Sequence, residues 1–392
     1  MMFSNRTVRQ NMSAMRESFS VLIPDGESEF ALFVVHCLAP FPVKLHVLSE
    51  ERWSPIRFSR YCHTYTFKQT GPDEESRLNA VADIVKKNKT DVFLPTETKW
   101  ISFAIANQET LSAFVAVAPL PDPKSFEIAN NKWLLAQFLE ENQIPGPPTI
   151  LVTYDDLFEK KLQDIEFPVL LKPVTAWGGE GIERFDDSSN LRYYLEQQHP
   201  ERTKGRFIVQ SLLPGFVVGV NILSRRGKML AMTMQRGIVP NTQKYAAAGA
   251  IKLIREDKFS AVVQELISAL GWSGFANVDT LYDNRDNQLK ILEMNARFWG
   301  SLRGSLLAGV SFPYLACLAA LDIPFPMPDY EFGHYFHSKT ALREGLLRLL
   351  GKSRESDFAF RETGLRFLLA DPIAEAMRAF RQEVLDKGPT TV

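Results

Sequence analysis

The chain has 392 residues, enough for roughly two to four compact units at the usual domain size. Lys plus Arg total 45 against 46 for Asp plus Glu, a formal charge of -1, so no global field draws in a polyanion and no nucleic-acid partner is expected. A hydrophobic fraction of 45% with 23% charged residues argues against a disordered or fibrous chain, and three scattered cysteines, Cys37, Cys62 and Cys317, argue against a disulfide framework or a cysteine zinc site.

Residues 1–17 carry Arg6, Arg9 and Arg16 among polar residues, with no apolar h-region, and read as a loose arm on a cytoplasmic protein. The longest apolar stretch, from Phe30 to Val43, is broken by His36, Pro40 and Pro42. It falls short of the roughly 20 residues that cross a bilayer, so no membrane partner is expected. Between 18 and 120, apolar runs at Phe19 to Ile23, Val43 to Leu48, Asp91 to Leu94 and Phe114 to Ala118 alternate with helical stretches such as Glu27 to Leu38, which predicts a small parallel sheet. No G-x-G-x-x-G follows the first run, so a dinucleotide site is not indicated.

Pro119, Pro121 and Pro123 mark a boundary. Ser125 to Asn142 then predicts one amphipathic helix, with Phe126, Trp133, Leu134 and Phe138 available for one side, before a second boundary at Pro145 to Pro148. From Thr149 to about Leu321, short strands rich in Val, Ile and Phe mix with helices at Asn190 to Gln198 and Asp257 to Leu270, an α+β region with its own core. Residues 322–392 are helical in tendency. There Asp371-Pro372 starts a helix that places Ile373, Met377, Phe380 and Val384 on one face. Leu342, Leu346, Leu347 and Leu350 mark another helix, whose expected use is docking against the main body.

Three segments carry chemistry. Phe275 to Tyr282, the polar turn Asp283 to Asn287, and Leu289 to Arg297 predict a β-hairpin. Asp279 and Glu293 are equidistant from Asp286, so a turn symmetric about Asp286 makes the two carboxylates cross-strand neighbours, with Glu293, Asn295 and Arg297 sharing one face. Like charges so placed destabilise unless a cation lies between them, and two carboxylates with an amide suit magnesium completed by phosphates. Taken alone, the segment reads equally as an exposed hairpin. The second segment delivers Lys172 from the apolar run Pro168 to Pro173, followed by Gly178, Gly179 and Gly181, whose backbone can approach phosphate oxygens. It lacks the G-K-[ST] ending of a P-loop, and alone it is also an ordinary surface turn. The third is a strand from Arg206 to Leu213 ending at Pro214-Gly215, a junction that offers backbone partners to an adenine ring.

Taken in order, these segments resemble the ATP-grasp superfamily, in particular its carbamoyl-phosphate-synthase-like single-unit carboxylate-amine ligases. The resemblance covers roughly residues 18 to 320 and is most specific at Glu293-Met-Asn-Ala-Arg297-Phe-Trp-Gly-Ser301, preceded by Asn277-Val-Asp279. It implies a mixed α/β and α+β chain: a Rossmann-like pre-ATP-grasp domain at 18–120, a two-lobed ATP-grasp fold at 121–321 (smaller lobe about 149–213, larger about 214–321), and a helical C-terminal segment at 322–392. It implies that Asp279, Glu293 and Asn295 ligate magnesium, with manganese as the alternative. Arg297 would face the transferred phosphate or acyl group, and Arg236 is similar to a basic residue over the acyl phosphate. Lys132 and Lys172 would contact ATP phosphates under the loop of Gly178, Gly179 and Gly181. Gln210 would take the place of an adenine-side Glu, with the backbone of Ser211, Leu212 and Leu213 as hinge. After Gly215, where a ribose-binding acid is common, the chain departs from the pattern with Phe216, Val217 and Val218.

The implied reaction activates a small-molecule carboxylate as an acyl phosphate and joins it to an amine or similar nucleophile, forming ADP; a homodimer is an assembly the resemblance allows. Three alternatives stand beside it: a biotin-carboxylase-like carboxylating subunit, a non-catalytic ATP-binding regulator, and a protein whose C-terminal helices bind a membrane or partner. Trp177 and Trp299 are expected to pack beside the nucleotide.

Overall fold

The computed structural model describes residues 18–71, 73–176, 178–198, 203–241, 244–351 and 358–386. The arm at 1–17 and Trp177 lie outside the described residues, as does the side chain of Val384. Five strands, β1 (Phe19–Ile23), β2 (Val43–Ser49), β3 (Cys62–Phe67), β4 (Val92–Phe93) and β5 (Ala116–Val117), form a parallel sheet in the order β3-β2-β1-β4-β5. The continuous burial of β1 and the fully buried helix Ala31–Leu38 explain the unbroken apolar runs of this region: both elements are covered on every side. Strand β3, Cys-His-Thr-Tyr-Thr-Phe, gave no such signal because it sits at the sheet edge and is only half-buried.

A four-stranded antiparallel sheet follows, β6 (Thr149–Leu151), β7 (Val169–Pro173), β8 (Glu183–Phe185) and β9 (Phe207–Ser211), in the order β6-β9-β7-β8. One face of it, with Val169, Leu171 and Val209, packs on Phe158, Leu162, Leu191 and Leu195 from two helices to make a separate small core. The larger sheet has β10 (Gly215–Arg225), β11 (Lys228–Val239), β12 (Ala250–Ile254), β13 (Gly274–Asp283), β14 (Gln288–Asn295) and β15 (His334–Phe336), ordered β14-β13-β10-β11-β12-β15. On one face Val218, Val220, Ala276 and Val278 pack with the helix Asp257–Ala269 through Phe259, Val263, Leu266 and Ile267. Toward its other face the core is shared: Phe275, Phe298, Trp299, Leu302 and Phe312 join the core of the first sheet. Trp299 is buried there, edge-on to Phe312 at 4.9 Å between ring centroids.

The helix expected over Ser125 to Asn142 is two helices, Pro123–Asn130 and Lys132–Glu141. Asn131 between them is extended, and its side chain caps the second helix by accepting from Trp133 N and Leu134 N. Lys132 thereby becomes the first residue of a helix instead of a mid-helix side chain.

The C-terminal helices differ from expectation in which face they bury. The helix Ser338–Leu349 turns Ala341 and Glu344 inward and leaves Leu342, Leu346 and Leu350 exposed; Leu347 is partly buried. The helix Pro372–Asp386 buries Ala374 and Glu375 while Ile373 and Phe380 face out. For the last helix, ionic pairing explains the inversion. Arg303 is 1% exposed, donates to Glu375 Oε1 and to His36 Nδ1 at 2.6 Å, and lies over the rings of Phe33 and Phe367. His36 Nε2 meets Asp371 Oδ2 at 3.1 Å, and Asp371 also accepts from Ser59 Oγ and Arg60 N. Burial favours the uncharged form of Glu375, but Arg303 and Arg378 outweigh it and hold the carboxyl down to about 2. The first sheet, the larger lobe and the last helix are stapled by one charged cluster.

Arg303→Met should lower unfolding free energy by about 3 kcal/mol, the low end for a broken buried ion pair, because Glu375 keeps only Arg378 as a charged partner. The double variant Arg303→Met with Glu375→Met should recover part of that loss, measured by urea denaturation.

Candidate active site

The site grows from the β13–β14 hairpin. Near its tip the strands pair Asp283 with Gln288 and Thr280 with Ile291, yet Asp279 pairs with Glu293, because the register shifts between Asp279 and Thr280. Leu292 is the extra residue of this β-bulge. Burial confirms the switch: Leu289 and Ile291 point into the core before it, Met294 and Ala296 after it. The carboxylate pairing expected from a symmetric turn is thus present, but the bulge produces it. Without the bulge, Glu293 would lie on the opposite face.

The hairpin tip is anchored. Asp283 is fully buried and accepts from Arg285 and from Lys290 Nζ at 2.9 Å, while Arg285 Nη1 reaches Glu166 Oε2 of the smaller lobe at 2.5 Å. The polar turn is a structural cluster, not scattered surface residues.

Asn295 Nδ2 lies 3.2 Å from Asp279 Oδ2 and 3.3 Å from Glu293 Oε1, spanning the two carboxylates. Lys132 Nζ stands 3.2 Å from Glu293 Oε2 and also donates to the Ala176 carbonyl just before the glycine loop. Desolvation, then the facing Glu293 charge, raises the Asp279 carboxyl well above its ordinary range, against the opposing pull of Arg297 and Lys132. Burial also pushes Glu293 up, but Lys132 and Lys172 outweigh it and keep this carboxyl below its ordinary value. The pair therefore tends to hold one proton where a cation would hold both oxygens ionised.

Lys172 comes from the opposite lobe. On β7 and β9, Lys172 and Gln210 share the face turned away from the small core, and Lys172 Nζ donates to Gln210 Oε1 at 2.6 Å. Gln210 Nε2 in turn donates to Thr149 Oγ1 at 3.0 Å. Burial lowers Lys172 to about 8, with Glu293 pulling upward and Lys132 adding to the fall. Lys132, Gln210 and Leu292 also border a cavity of about 430 Å³ beside the Pro147-Pro148 linker.

Gly178, Gly179 and Gly181 all have positive φ. At Gly179 an added Cβ would lie 2.8 Å from the Tyr245 carbonyl, so this glycine lets the loop of the smaller lobe press on the larger one. In the hinge strand, Ser211 N donates to Pro148 O and Leu212 N to Pro168 O. These two N–H groups are committed to the protein, which leaves Leu213 N–H and the hinge carbonyls for a base.

Arg236 is not brought to the site. It pairs with Val218, one residue out of step with the row Gly219, Gln235, Asp279 and Glu293, so its side chain leaves from the other face of the sheet. There it stacks over Phe216, 3.9 Å from the ring centroid. Its neighbour Gln235 faces the site, accepting from Ser301 Oγ at 2.7 Å and Asn221 Nδ2 at 3.3 Å. Asn277 Nδ2 donates to Asn221 Oδ1 at 3.0 Å, which completes a polar floor. The available signal was a polar residue in alternate positions of otherwise apolar strands, Asn221 on β10 and Thr233 and Gln235 on β11. Gly219 keeps this floor open, since a Cβ there would lie 3.1 Å from Gln235 Nε2. Arg297 closes the rim toward the first sheet, over Phe30 at 4.7 Å.

The donor set fits a hard cation. Among the described residues no three His, Cys, Asp or Glu side chains converge, so the candidate ligands are two carboxylates and one amide. The Asn295 amide lies where its oxygen, after a flip, would turn toward the same ion.

The family profile described as an ATP-grasp domain matches residues 129–301. D-aspartate ligase of Enterococcus faecium (strain Aus0004) is 22% identical over 294 residues, covering 64% of this chain and 70% of that one. Carbamoyl-phosphate synthase of Methanobrevibacter smithii is 22% identical over 182 residues, 44% of this chain and 47% of that one, so the chain spans about half its length. In fold the chain is similar to N5-carboxyaminoimidazole synthetase from Staphylococcus aureus complexed with ADP, at TM-score 0.62 and 16% identity, covering 83% of this chain and 81% of that one. It is also similar to the biotin carboxylase domain of Hydrogenobacter thermophilus 2-oxoglutarate carboxylase in complex with MgADP, ADP and bicarbonate, at TM-score 0.62 and 16% identity, covering 81% and 74%.

A prediction follows from Lys172. Between its folded value near 8 and the ordinary 10.5, the unfolded chain binds more protons, so the parent gains stability as pH rises through that window. Lys172→Met removes this dependence. From pH 8 to 10.5 the parent should gain about 3 kcal/mol relative to the variant, read from paired urea curves.

Proposed function

From the ATP-grasp domain that this chain carries at residues 129–301, we infer an ATP-dependent, magnesium-dependent ligase that activates a carboxylate as an acyl phosphate and joins it to an amine or similar nucleophile. The observation that supports it most is the bulge-enforced pairing of Asp279 with Glu293, spanned by Asn295 and faced by two lysines. In this reading Asp279, Glu293 and Asn295 hold magnesium, which when bound neutralises phosphate charge. Lys172 and Lys132 contact phosphates, and the loop of Gly178, Gly179 and Gly181 closes over them through its approach to Tyr245. Gln210 orients Lys172 and borders the base, whose hinge partners are the carbonyls of Ser211 and Leu212 and the Leu213 N–H. Arg297 faces the group being transferred, and Arg236 has no part.

Chemically, a carboxylate oxygen bonds to the γ-phosphorus as the bond to ADP breaks, and the amine then bonds to the acyl carbon as phosphate leaves. The protein contributes alignment and fixed charge, and no covalent enzyme intermediate is required. Lys172, desolvated and near 8, is well placed to gain charge as phosphate arrives. The likeness to a D-aspartate ligase over 64% of this chain supports an amino acid as one of the joined substrates. The likeness to a biotin carboxylase domain is the observation behind a second reading, a carboxylation using bicarbonate.

Purified protein with ATP, magnesium and pools of amino acids and amines should release ADP with phosphate and yield condensed products by mass; a parallel arm with bicarbonate separates the second reading. AMP with pyrophosphate overturns the mechanism, and ATP binding with silence in every arm favours a regulator.

Glu293→Gln should reduce turnover by more than the roughly 100-fold that loss of an outer-shell partner produces. The variant should keep the parent's metal-free melting temperature, because relief of Asp279 offsets the lost pairing with Lys132. It should also lose most of the melting shift that magnesium with a non-hydrolysable ATP analogue gives the parent. An equal shift in both proteins removes Glu293 from the ligand set.

A further inference from the structure

The C-terminal helices present a surface that the proposed ligase chemistry leaves unused. The helix Ser338–Leu349 and the residue after it expose Leu342, Leu346, Leu349 and Leu350, a row at i, i+4, i+7 and i+8, and Leu349 is 85% exposed. Farther along, Ile373 and Phe380 project from the last helix. Large apolar side chains rarely gather on a free surface without an occupant.

Charge is sorted across the same segment. Among the described residues from 338 to 382, every exposed charged side chain is basic: Lys339, Arg343, Arg348 and Arg361. The acids of that stretch are turned in: Glu344, Asp371 and Glu375 are buried and Glu362 half-buried, with Glu375 accepting from Arg303 and Arg378 and Glu344 from Arg343. The whole chain is close to neutral at -1, so this one-signed face is a local arrangement. On the helix, Lys339 lies between Leu346 and Leu350 in angular position and Arg343 just beyond Leu350, so the two border one side of the leucine row, Arg343 also donating to Glu344 Oε1 at 2.9 Å.

We propose that this face binds the surface of an anionic lipid membrane, its leucines entering the acyl boundary and its lysine and arginines meeting lipid phosphates. Two features favour lipid over the other occupants. A second copy of the chain would bring like charges together across an isologous contact. A row of leucines on one convex helix flanked by basic residues is the arrangement that lies in a membrane interface. Such attachment needs no spanning segment, and no helix among the described residues is long and apolar enough to cross a membrane.

The test uses the full chain and vesicles of phosphatidylcholine alone or mixed seven to three with phosphatidylglycerol, read by flotation. The chain should float with the mixed vesicles and stay behind with the neutral ones, and high salt should weaken binding by about tenfold or more. Leu346→Ser with Leu349→Ser changes exposed residues only, so it should keep the parent's melting temperature and ADP release while losing about tenfold or more in vesicle affinity. Absence of flotation with the mixed vesicles overturns the proposal, as does equal flotation of the double-serine variant. A dimer by light scattering that the double-serine change dissolves, with no vesicle binding, would assign the face to a second copy instead. Only the ADP-release control draws on the ligase reading; flotation, melting temperature and light scattering do not, and that reading stands or falls on the product assay.

Discussion

Two carboxylates are held face to face across a hairpin, and much of the surrounding structure can be understood as the means of keeping them there. Asp279 and Glu293 would repel if both were ionised, and a flexible hairpin would relieve that by slipping. The bulge at Leu292, the buried Asp283 at the tip and the pairing of β13 with the central strand β10 prevent the slip. Positive charge then comes from three directions: Lys132 from a helix start, Lys172 from the other lobe, and Arg297 from the end of the same strand. Strain at one pair of residues is compensated by placement of others far apart in sequence.

The sequence made the outline of this arrangement legible because its strongest signals are local. The parallel sheet of the first 120 residues could be read from fully apolar runs, and the hairpin from two strands around a polar turn. The pairing of Asp279 with Glu293 was also anticipated, although on a wrong premise. A bulge has no sequence signature of its own, and only the change of buried parity from Leu289 and Ile291 to Met294 and Ala296 betrays it. Lys132 shows the same limit. Periodicity joined its helix to the preceding one, whereas the Asn131 side chain ends one helix and begins the next.

Other features were illegible because they depend on which partner wins. Arg236 and Gln235 are adjacent, and choosing between them requires the pairing of Arg236 with Val218, which fixes the face. In the last helix, hydrophobic periodicity pointed to the wrong inward face, since Glu375 is drawn in by Arg303 and the apolar residues opposite it turn out. A charge complemented in the interior can override the apolar stripe when its partner lies far off in sequence, as Arg303 lies 72 residues before Glu375.

The division of the cores has a mechanical consequence. The first sheet and the larger lobe share aromatic and aliphatic packing, so separating them would expose Phe298, Trp299 and Phe312 together. The four-stranded sheet owns its core and joins the rest through the Pro147-Pro148 and Leu212-Pro214 crossings and through polar contacts such as Arg285 with Glu166 and Lys132 with the Ala176 carbonyl. Amide hydrogens of such a unit should exchange as one cooperative block at lower free energy than those of the six-stranded sheet. Lys172 belongs to the unit that owns its core, whereas Asp279 and Glu293 belong to the sheet that shares its core with the first.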